Sequence, residues 1–327
     1  MVIVVTMGDA NGVGPELTLK GWVEGDFEPD TVIIGDLAAL ERAREALALA
    51  IDFTRLEDIS SPVAGGTLGI LDLDMLSPAD ITPGQLSRAT GSAAIAYVER
   101  ATHLALDGAV DAIVTLPINK EATGLSLPGF SGHTEFIAEL CHTAGTTMML
   151  ASERLIVTHV STHVSLRHAV ERVRRPRVLE VIQLTHDALQ QLRPRARIAV
   201  AGLNPHAGEH GAFGDEDIGE ILPAVEEACA QGIDASGPIA ADTVFYQAVE
   251  NDRYDAVVCM YHDQGHIPMK TLDFDGGVNV TLGLPIVRTS VDHGTAFDIA
   301  YKGIARTRSL RAACAMARLL RPTLRDQ

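Results

Sequence analysis

Short runs of apolar residues alternate along this chain with longer stretches in which apolar positions recur at helical spacing. The apolar runs predict strands over residues 1–6, 32–35, 112–115, 155–158, 198–201 and 256–260. The periodic stretches predict helices over residues 38–50, 89–106, 131–140, 178–192 and 215–231. Strands that alternate with helices are typical of a mostly parallel sheet with helices on both faces, so the pattern predicts an α/β fold.

Histidines follow three of these predicted strands at the point where each strand ends. In chain order they are His159, His163 and His168, then His206 and His210, then His262 and His266, with Asp263 beside the last pair. Ligands of open α/β sheets gather beyond the carboxyl ends of strands, so this convergence predicts a site. Imidazoles from three strand ends suit a divalent metal, and Asp263 either completes its shell or acts as a base. The alternative is that these rings cap helices or bond to the backbone.

The charge balance narrows the possible partners. The chain has 43 Asp and Glu against 26 Lys and Arg, a net charge of −17. Such a surface repels nucleic acid and anionic membranes, so neither is an expected partner. No apolar run is long enough to span a bilayer, and residues 1–6 resemble a first strand instead of a signal peptide, so we expect a cytoplasmic location. An anionic substrate would need a local cluster of positive groups.

Two segments are candidates for that cluster. The stretch SGHTEF begins a predicted helix, whose first N–H groups, with His133 and Thr134, are suited to an anion; the alternative is an ordinary helix cap. Further along, Lys270, Asn279 and Arg288 lie among apolar runs. An arginine after a buried strand can hold a phosphate or carboxylate with two hydrogen bonds, although the three are also plausible as ordinary surface residues.

Other functional motifs are absent. The Gly-rich turn MGDANGVGPEL lacks the G-x-G-x-x-G spacing of a dinucleotide loop, and the chain has no Walker A, G-x-S-x-G or H-E-x-x-H sequence. Its four cysteines are far apart and form no C-x-x-C pair, which predicts reduced thiols.

Five longer motifs carry a family resemblance. They are SGHTEF, LNPHAGE, GPIAADT, MYHDQGHIPMK and GVNVTLGLPIVRTSVDHGTA. In this order and at these distances, they resemble the 4-hydroxythreonine-4-phosphate dehydrogenase family, over almost the whole chain. The family includes enzymes that oxidise 4-phospho-D-threonate and 4-phospho-D-erythronate, and its more distant members act on aromatic dihydrodiols. The motif HDQGHIPMK is similar to that of the sugar-acid phosphate branch.

The resemblance implies a fold like that of isocitrate and isopropylmalate dehydrogenases. That fold has two α/β/α subdomains with a central cleft. The first is expected to cover about residues 1–120 plus 285–327, and the second about 121–284, with the metal and dimer contacts. The family works as a homodimer with its active site at the interface.

The resemblance also implies the site residues. The metal ligands are expected to be His163, His206 and His262. The substrate-binding residues are expected to be His133, Thr134, Lys270, Asn279 and Arg288, with Asp242 and Asp263 as further catalytic groups. The nicotinamide cofactor, NAD or alternatively NADP, is expected at the loop formed by Asp292, His293, Gly294 and Thr295.

The implied reaction is oxidation of the C3 hydroxyl of a phosphorylated four-carbon hydroxy acid, followed by decarboxylation, with Zn, Mg, Mn or Co as the metal. The base is Lys270 or Asp263. The alternatives are a dehydrogenase of a non-phosphorylated diol acid and a catalytically silent metal-binding homologue. Two departures from the family pattern, Tyr301 in place of glycine and the stretch Arg306–Arg308, put the cofactor side in question.

Overall fold

The computed structural model describes residues 1–321 of the chain. Its strands are β1 (Ile3–Thr6), β2 (Thr31–Gly35), β3 (Phe53–Leu56), β4 (Leu68–Asp72), β5 (Ala112–Thr115), β6 (Thr147–Ala151), β7 (Ile156–His159), β8 (Ile198–Ala201), β9 (Ala235–Ile239), β10 (Ala256–Cys259), β11 (Val278–Leu282) and β12 (Val287–Val291). Its α-helices are α1 (Gly14–Val23), α2 (Leu37–Leu47), α3 (Arg88–Leu106), α4 (Lys120–Gly124), α5 (His133–Leu140), α6 (Leu166–Arg172), α7 (Arg175–Leu192), α8 (Leu222–Ala230), α9 (Ala241–Val249), α10 (His262–Leu272) and α11 (Arg308–Leu319).

The chain divides into two compact units. The first consists of Met1–Ala144 and the segment that starts at Leu284. Its strands follow the order β3-β4-β2-β1-β5-β12, and every neighbouring pair is parallel. Strands β1, β2 and β5 are buried along their whole length, as expected for a parallel sheet covered by helices. Helix α3 packs on β1, β2 and β5, and α11 packs on β5 and β12.

The second unit is Gly145–Gly283. Its strands follow the order β11-β6-β7-β10-β8-β9. Strand β6 runs antiparallel to β7 and β11, and the remaining pairs are parallel. The core of this unit is formed by apolar residues of β7, β8 and β10 together with α9 and α10. Because β7, β10 and β8 are parallel neighbours, their carboxyl ends lie at one edge of the sheet, which positions the loops described below.

The predicted α/β class is confirmed, and several elements have the predicted bounds. Strands β5 and β8 begin and end where the apolar runs do. The predicted helix over 215–231 is two elements, because a π-helical turn, Asp217–Ile221, precedes α8. Residues 121–144, which the resemblance assigned to the second subdomain, lie in the first unit. Within the described residues, no helix combines the length and the apolar character that a membrane crossing requires.

Candidate functional site

Four histidines meet at the carboxyl end of β7 and the start of α10. We call His159, His163, His262 and His266 the histidine cluster. His159 is the last residue of β7 and pairs in register with Cys259, the last residue of β10, so it lies beside the start of α10. Ring centroids are 3.6 Å apart for His262 and His266, which stack at 11°, 4.8 Å for His159 and His266, and 5.7 Å for His163 and His262.

The hydrogen bonds of His159 and His266 define which nitrogens carry a proton. Nδ1 of His159 lies 3.2 Å from the carbonyl oxygen of Met148, which can only accept, so Nδ1 donates and Nε2 is left as an acceptor. Nδ1 of His266 lies 3.2 Å from that Nε2 and 3.0 Å from the carbonyl oxygen of His262, and donates to both. Burial, together with the neighbouring His266, lowers the pKa of His159 to about 3, so its ring is neutral at physiological pH.

His262 is oriented by the next residue in the chain. Its Nδ1 donates to Oδ1 of Asp263 at 2.7 Å, which leaves Nε2 with its lone pair. A carboxylate that holds one imidazole nitrogen while the other faces a metal is a common arrangement in metal sites. His163, His262 and Asp263 line one cavity of about 440 Å³.

His206 lies on an unusual loop after β8. Five consecutive residues, 206–210, have φ between 43° and 79°, a left-handed turn that costs free energy at each non-glycine position. The buried carboxylate of Asp217 stabilises the start of this loop by accepting from the backbone of Leu203 and Asn204 at 2.8 and 3.0 Å. The His206 ring is 65% exposed and contacts Glu209 and Phe213.

The donor chemistry of these residues fits a metal, but one chain does not assemble the complete set. Imidazole nitrogens are suitable ligands for zinc and similar divalent ions, and the structure brings His163 and His262 together. Among residues 1–321, however, no group of three or more His, Cys, Asp or Glu side chains is arranged to hold a metal ion. The predicted trio with His206 therefore stays a prediction.

The remaining predicted residues of the second unit lie on α9, α10 and β11. Asp242, in the first turn of α9, lines a cavity of about 540 Å³ together with Asp263. Lys270 is seven residues after Asp263 on α10, on the same helix face, with its Nζ 5.3 Å from the centroid of the Phe274 ring. Oδ1 of Asn279, on β11, is buried and has no hydrogen-bond partner among the described residues.

Gln264, the amide in the motif HDQGH, has a structural role. Its Oε1 accepts from the backbone of Met260 at 2.6 Å, and its Nε2 donates to the carbonyl of Gly202 at 2.7 Å. Both ends of the amide are thus used to join the chain after β10 to the chain after β8. This buried side chain positions the loops of the site.

A positively charged group lies in the first unit. Arg288, on β12, is 2% exposed, and its Nε and Nη2 donate to Oγ1 of Thr115 on neighbouring β5 at 3.2 and 2.7 Å. Burial lowers the pKa of Arg288 to about 10, against the opposing effect of the Glu135 carboxylate, so the guanidinium is charged at neutral pH. We call Arg288, His133 and Lys120 the Arg288 cluster.

His133 is the first residue of α5, and its Nε2 is buried with no hydrogen-bond partner in the part of the chain that the structure describes. Burial, followed by the charges of Arg288 and Lys120, holds the pKa of His133 well below its usual range. Nζ of Lys120 is 3.6 Å from the point where a Cβ on Gly132 would lie, so it is next to the start of α5. Thr134 is half-buried in the first turn. Helix N–H groups and these cations together favour an anion.

The predicted cofactor loop packs against the Gly-rich turn. The carbonyl of Thr295 accepts from the backbone N–H of Val13 at 2.9 Å, and the N–H of Asp292 donates to Oγ of Ser309 at 3.1 Å. A Cβ on Gly12 would lie 2.9 Å from the Thr295 oxygen, so only glycine permits this approach. His293 and Gly294 are exposed at the surface of the loop.

The departure at Tyr301 has a structural explanation. Its φ is 62°, in the left-handed region that glycine adopts at lower cost. The tyrosine hydroxyl donates to the carbonyl of Ala10 at 2.7 Å, so a hydrogen bond to the Gly-rich turn offsets the backbone strain. The following segment is tied to α1 by the buried Glu16, which accepts from the N–H groups of Gly303 and Ala305. These contacts do not account for Arg306.

Sequence reasoning missed some of these groups. Thr115 ends strand β5, and Lys120 follows it. The expectation that ligands gather beyond the carboxyl ends of strands therefore applied to them as it did to the histidines. His159 and His266 lie after predicted strands, but the resemblance implies no role for them. Which of them is bonded to which depends on packing that the local sequence does not show.

Solved structures of low sequence identity share this fold. A β-decarboxylating dehydrogenase from Thermococcus kodakarensis has a similar fold, with a TM-score of 0.51 at 14% identity over 97% of this chain and 82% of that one. The protein thus has the α/β fold of such dehydrogenases, as predicted.

The family is shown by closer relatives. The sequence model of the family described as "Pyridoxal phosphate biosynthetic protein PdxA" matches residues 28–317, and the chain belongs to this family. It is 45% identical to a D-threonate 4-phosphate dehydrogenase of Cupriavidus necator, over 95% of each chain. It is 43% identical to a 4-hydroxythreonine-4-phosphate dehydrogenase of Klebsiella pneumoniae, with a TM-score of 0.87, over 97% of this chain and 98% of that one. The predicted family, and with it an oxidoreductase acting on a CH–OH group, is confirmed.

Proposed function

We propose that the protein catalyses the NAD-dependent oxidation of the C3 hydroxyl of a phosphorylated four-carbon hydroxy acid. The candidate substrates are 4-phosphohydroxythreonine, 4-phospho-D-threonate and 4-phospho-D-erythronate. The C3 hydrogen leaves as hydride to NAD, and the hydroxyl proton leaves to a base. The resulting 3-oxo acid then loses CO₂.

The observation that carries this proposal is the Arg288 cluster. The chain has a net charge of −17, yet it buries a guanidinium beside a neutral imidazole whose Nε2 has no partner within residues 1–321. Burying an arginine and leaving a buried nitrogen unbonded both cost free energy. A phosphate or carboxylate at this position accepts from both groups and offsets those costs, so the cluster supports an anionic substrate.

The histidine cluster supports a metal at the reacting end. His163 and His262 are proposed ligands together with His206, with Zn, Mg, Mn or Co as the ion. When bound, such an ion supplies Lewis-acid stabilisation of the negative charge that develops on the substrate oxygen. One chain brings together two of the three rings, so we propose that the set is completed in a homodimer with its active site at the interface.

Two side chains of α10 are candidates for the base. Asp263 already accepts a hydrogen bond from His262, and its side chain is 70% exposed. Lys270 is the alternative. It lies seven residues further along α10, on the same face of the helix. Asp242 and Asn279 are assigned to substrate orientation, and the loop Asp292–Thr295 to the nicotinamide cofactor. NADP is the alternative cofactor.

The D-threonate 4-phosphate dehydrogenase and the 4-hydroxythreonine-4-phosphate dehydrogenase described above match this chain at nearly the same identity. Their substrates differ at C2, which carries a hydroxyl or an amine, so the identity of this group requires a direct test. NAD reduction should be followed with the three candidate substrates in parallel, with and without a chelator. We expect turnover that the chelator abolishes and that Zn²⁺, Mn²⁺ or Mg²⁺ restores. The ranking of the three rates then assigns the substrate.

Two outcomes would contradict the proposal. Turnover of a non-phosphorylated diol acid at a higher rate than all three phosphorylated substrates would indicate that the Arg288 cluster binds a carboxylate and not a phosphate. Absence of turnover with every substrate and metal, and no NAD binding by calorimetry, would indicate a silent homologue.

A further inference from the structure

We propose that His159 and His266 are positioning residues for His262: the pair holds the His262 ring in one orientation and one tautomer, so that Nε2 alone is presented to a metal. The proposal rests on the proposed metal-dependent function. Its test includes a measurement on the metal-free protein.

As the first step, His159 is anchored to the neighbouring strand β6. It is 1% exposed, and its Nδ1–H donates to the carbonyl of Met148 on β6, at 3.2 Å. This bond turns the ring so that its Nε2 faces α10 as an acceptor.

The second step is the orientation of His266. Its Nδ1–H is shared between Nε2 of His159 at 3.2 Å and the carbonyl oxygen of His262 at 3.0 Å. One of these acceptors is on β7 and the other is one helical turn back on α10. Two acceptors in different directions fix the rotation of the ring about its Cβ–Cγ bond.

The third step passes this orientation to His262. The two rings stack with centroids 3.6 Å apart and planes 11° from parallel. On the edge of the His262 ring, Nδ1–H donates to Asp263 at 2.7 Å. A rotation of the ring would lose both the stack and this bond, so Nε2 is left as the donor atom for a metal.

The close packing of α10 on His159 depends on Gly265. A Cβ at this position would lie 2.5 Å from Nε2 of His159 and 3.0 Å from Sγ of Cys259. Only glycine allows the helix to approach near enough for His159 and His266 to bond. Gly265 in the motif HDQGH is thus required for the contact between His159 and His266.

A purely space-filling role is the competing explanation, and a leucine separates the two. Leucine is similar in volume to histidine, so His266→Leu and His159→Leu keep the site filled but remove the bonds and the ring stack. His186→Leu is the matched control, because His186 is a partly buried histidine on α7 of the same unit that takes no part in the cluster.

The experiment uses the full-length chain stripped of metal. Affinity for Mn²⁺ and Co²⁺ should be measured by calorimetry, and the ring ¹⁵N shifts of His262 by NMR of the metal-free protein. We expect His262 to be the Nδ1–H tautomer in the wild type and a mixture in His266→Leu. Metal affinity should fall about 10- to 100-fold in His266→Leu and His159→Leu, but less than about twofold in His186→Leu. His159→Gln, which keeps an acceptor at the reach of Nε2, should recover part of the loss.

Each result of this experiment supports or contradicts the positioning role of His159 and His266. A single His262 tautomer and unchanged metal affinity in both leucine variants would overturn the positioning role. If the wild type binds no metal, the proposed metal-dependent function fails, and the tautomer measurement still tests the orientation of His262. If His266→Leu does not fold, His159→Gln and His159→Leu supply the same comparison.

Discussion

Two histidines of this protein with buried ring nitrogens, His133 and His159, differ in what those nitrogens bond to. Burial lowers the pKa of both rings, so both are neutral. In His159, Nδ1 donates to a backbone carbonyl and Nε2 accepts from His266. In His133, Nε2 has no partner anywhere in the described part of the chain, although it lies among the charges of Arg288 and Lys120. Internal bonds indicate a ring that holds structure, and a missing bond beside the cations Arg288 and Lys120 indicates a ring that awaits an anionic ligand.

Two amides repeat the contrast. Gln264 uses both its oxygen and its nitrogen to join backbone groups after two strands. Asn279 has a buried Oδ1 that makes no hydrogen bond to any described residue. An unbonded buried acceptor costs about 1–3 kcal/mol, and for Asn279 we expect the substrate to supply the missing partner. Four predictions test this difference between partnered and unpartnered groups.

Arg288→Lys should lower kcat/KM for the phosphorylated substrate about 100-fold, because a point charge cannot reproduce the two-pronged donation of the guanidinium. Steady-state kinetics with varied substrate measure the effect. Arg195→Lys is the control, since Arg195 is 80% exposed and pairs with Asp234 at the surface. A loss below fivefold at Arg288 would remove the anion-binding role.

His133→Leu should lower activity and leave stability unchanged, whereas His159→Leu should lower stability. At His133 we expect kcat/KM to fall about 10- to 100-fold with stability unchanged within about 1 kcal/mol, because no internal bond is lost. At His159 we expect unfolding free energy to fall by about 2 kcal/mol, since the Met148 carbonyl loses its side-chain donor. Urea unfolding and kinetics on both variants provide the test. Equal loss of stability in both would show that the unpartnered nitrogen is not a marker of ligand binding.

Asn279→Ala should lower kcat/KM about tenfold and leave the urea midpoint nearly unchanged. Gln264→Ala should instead lower the midpoint, because two backbone groups lose their partner. If the two variants exchange these effects, the distinction between partnered and unpartnered amides does not hold here.

The last test is the pH dependence of stability. The folded pKa of His159 is about 3, below the ordinary value of 6.5, so the unfolded chain takes up a proton first as pH falls. Stability from this group is therefore complete above pH 6.5 and declines by up to about 1.4 kcal/mol for each pH unit below it. The stability difference between wild type and His159→Leu should narrow from about pH 7 to about pH 5 in urea unfolding. A constant difference would show that His159 is not desolvated.

Much of the fold follows from local pattern. The apolar runs at 112–115 and 198–201 become strands at those bounds, and the helical spacing of 178–192 becomes most of α7. Strand β6 was not predicted, because its short buried run is equally consistent with a segment of a buried helix. The π-helical turn that begins at Asp217 was merged with α8 for a similar reason, since both have helical spacing.

The sequence by itself determined which residues come to the ends of the strands, and its motifs were enough to predict the family. Only the tertiary structure decided what each polar group does there. His159 meets Met148, His266 and Gly265 through packing of β6, β7 and α10, and those contacts define its tautomer and its neutral charge. Hydrogen bonds depend on distances of tenths of an ångström, and desolvation depends on neighbours far along the chain. Local pattern places a histidine at an edge, but it does not show whether the nitrogens of that histidine are already bonded.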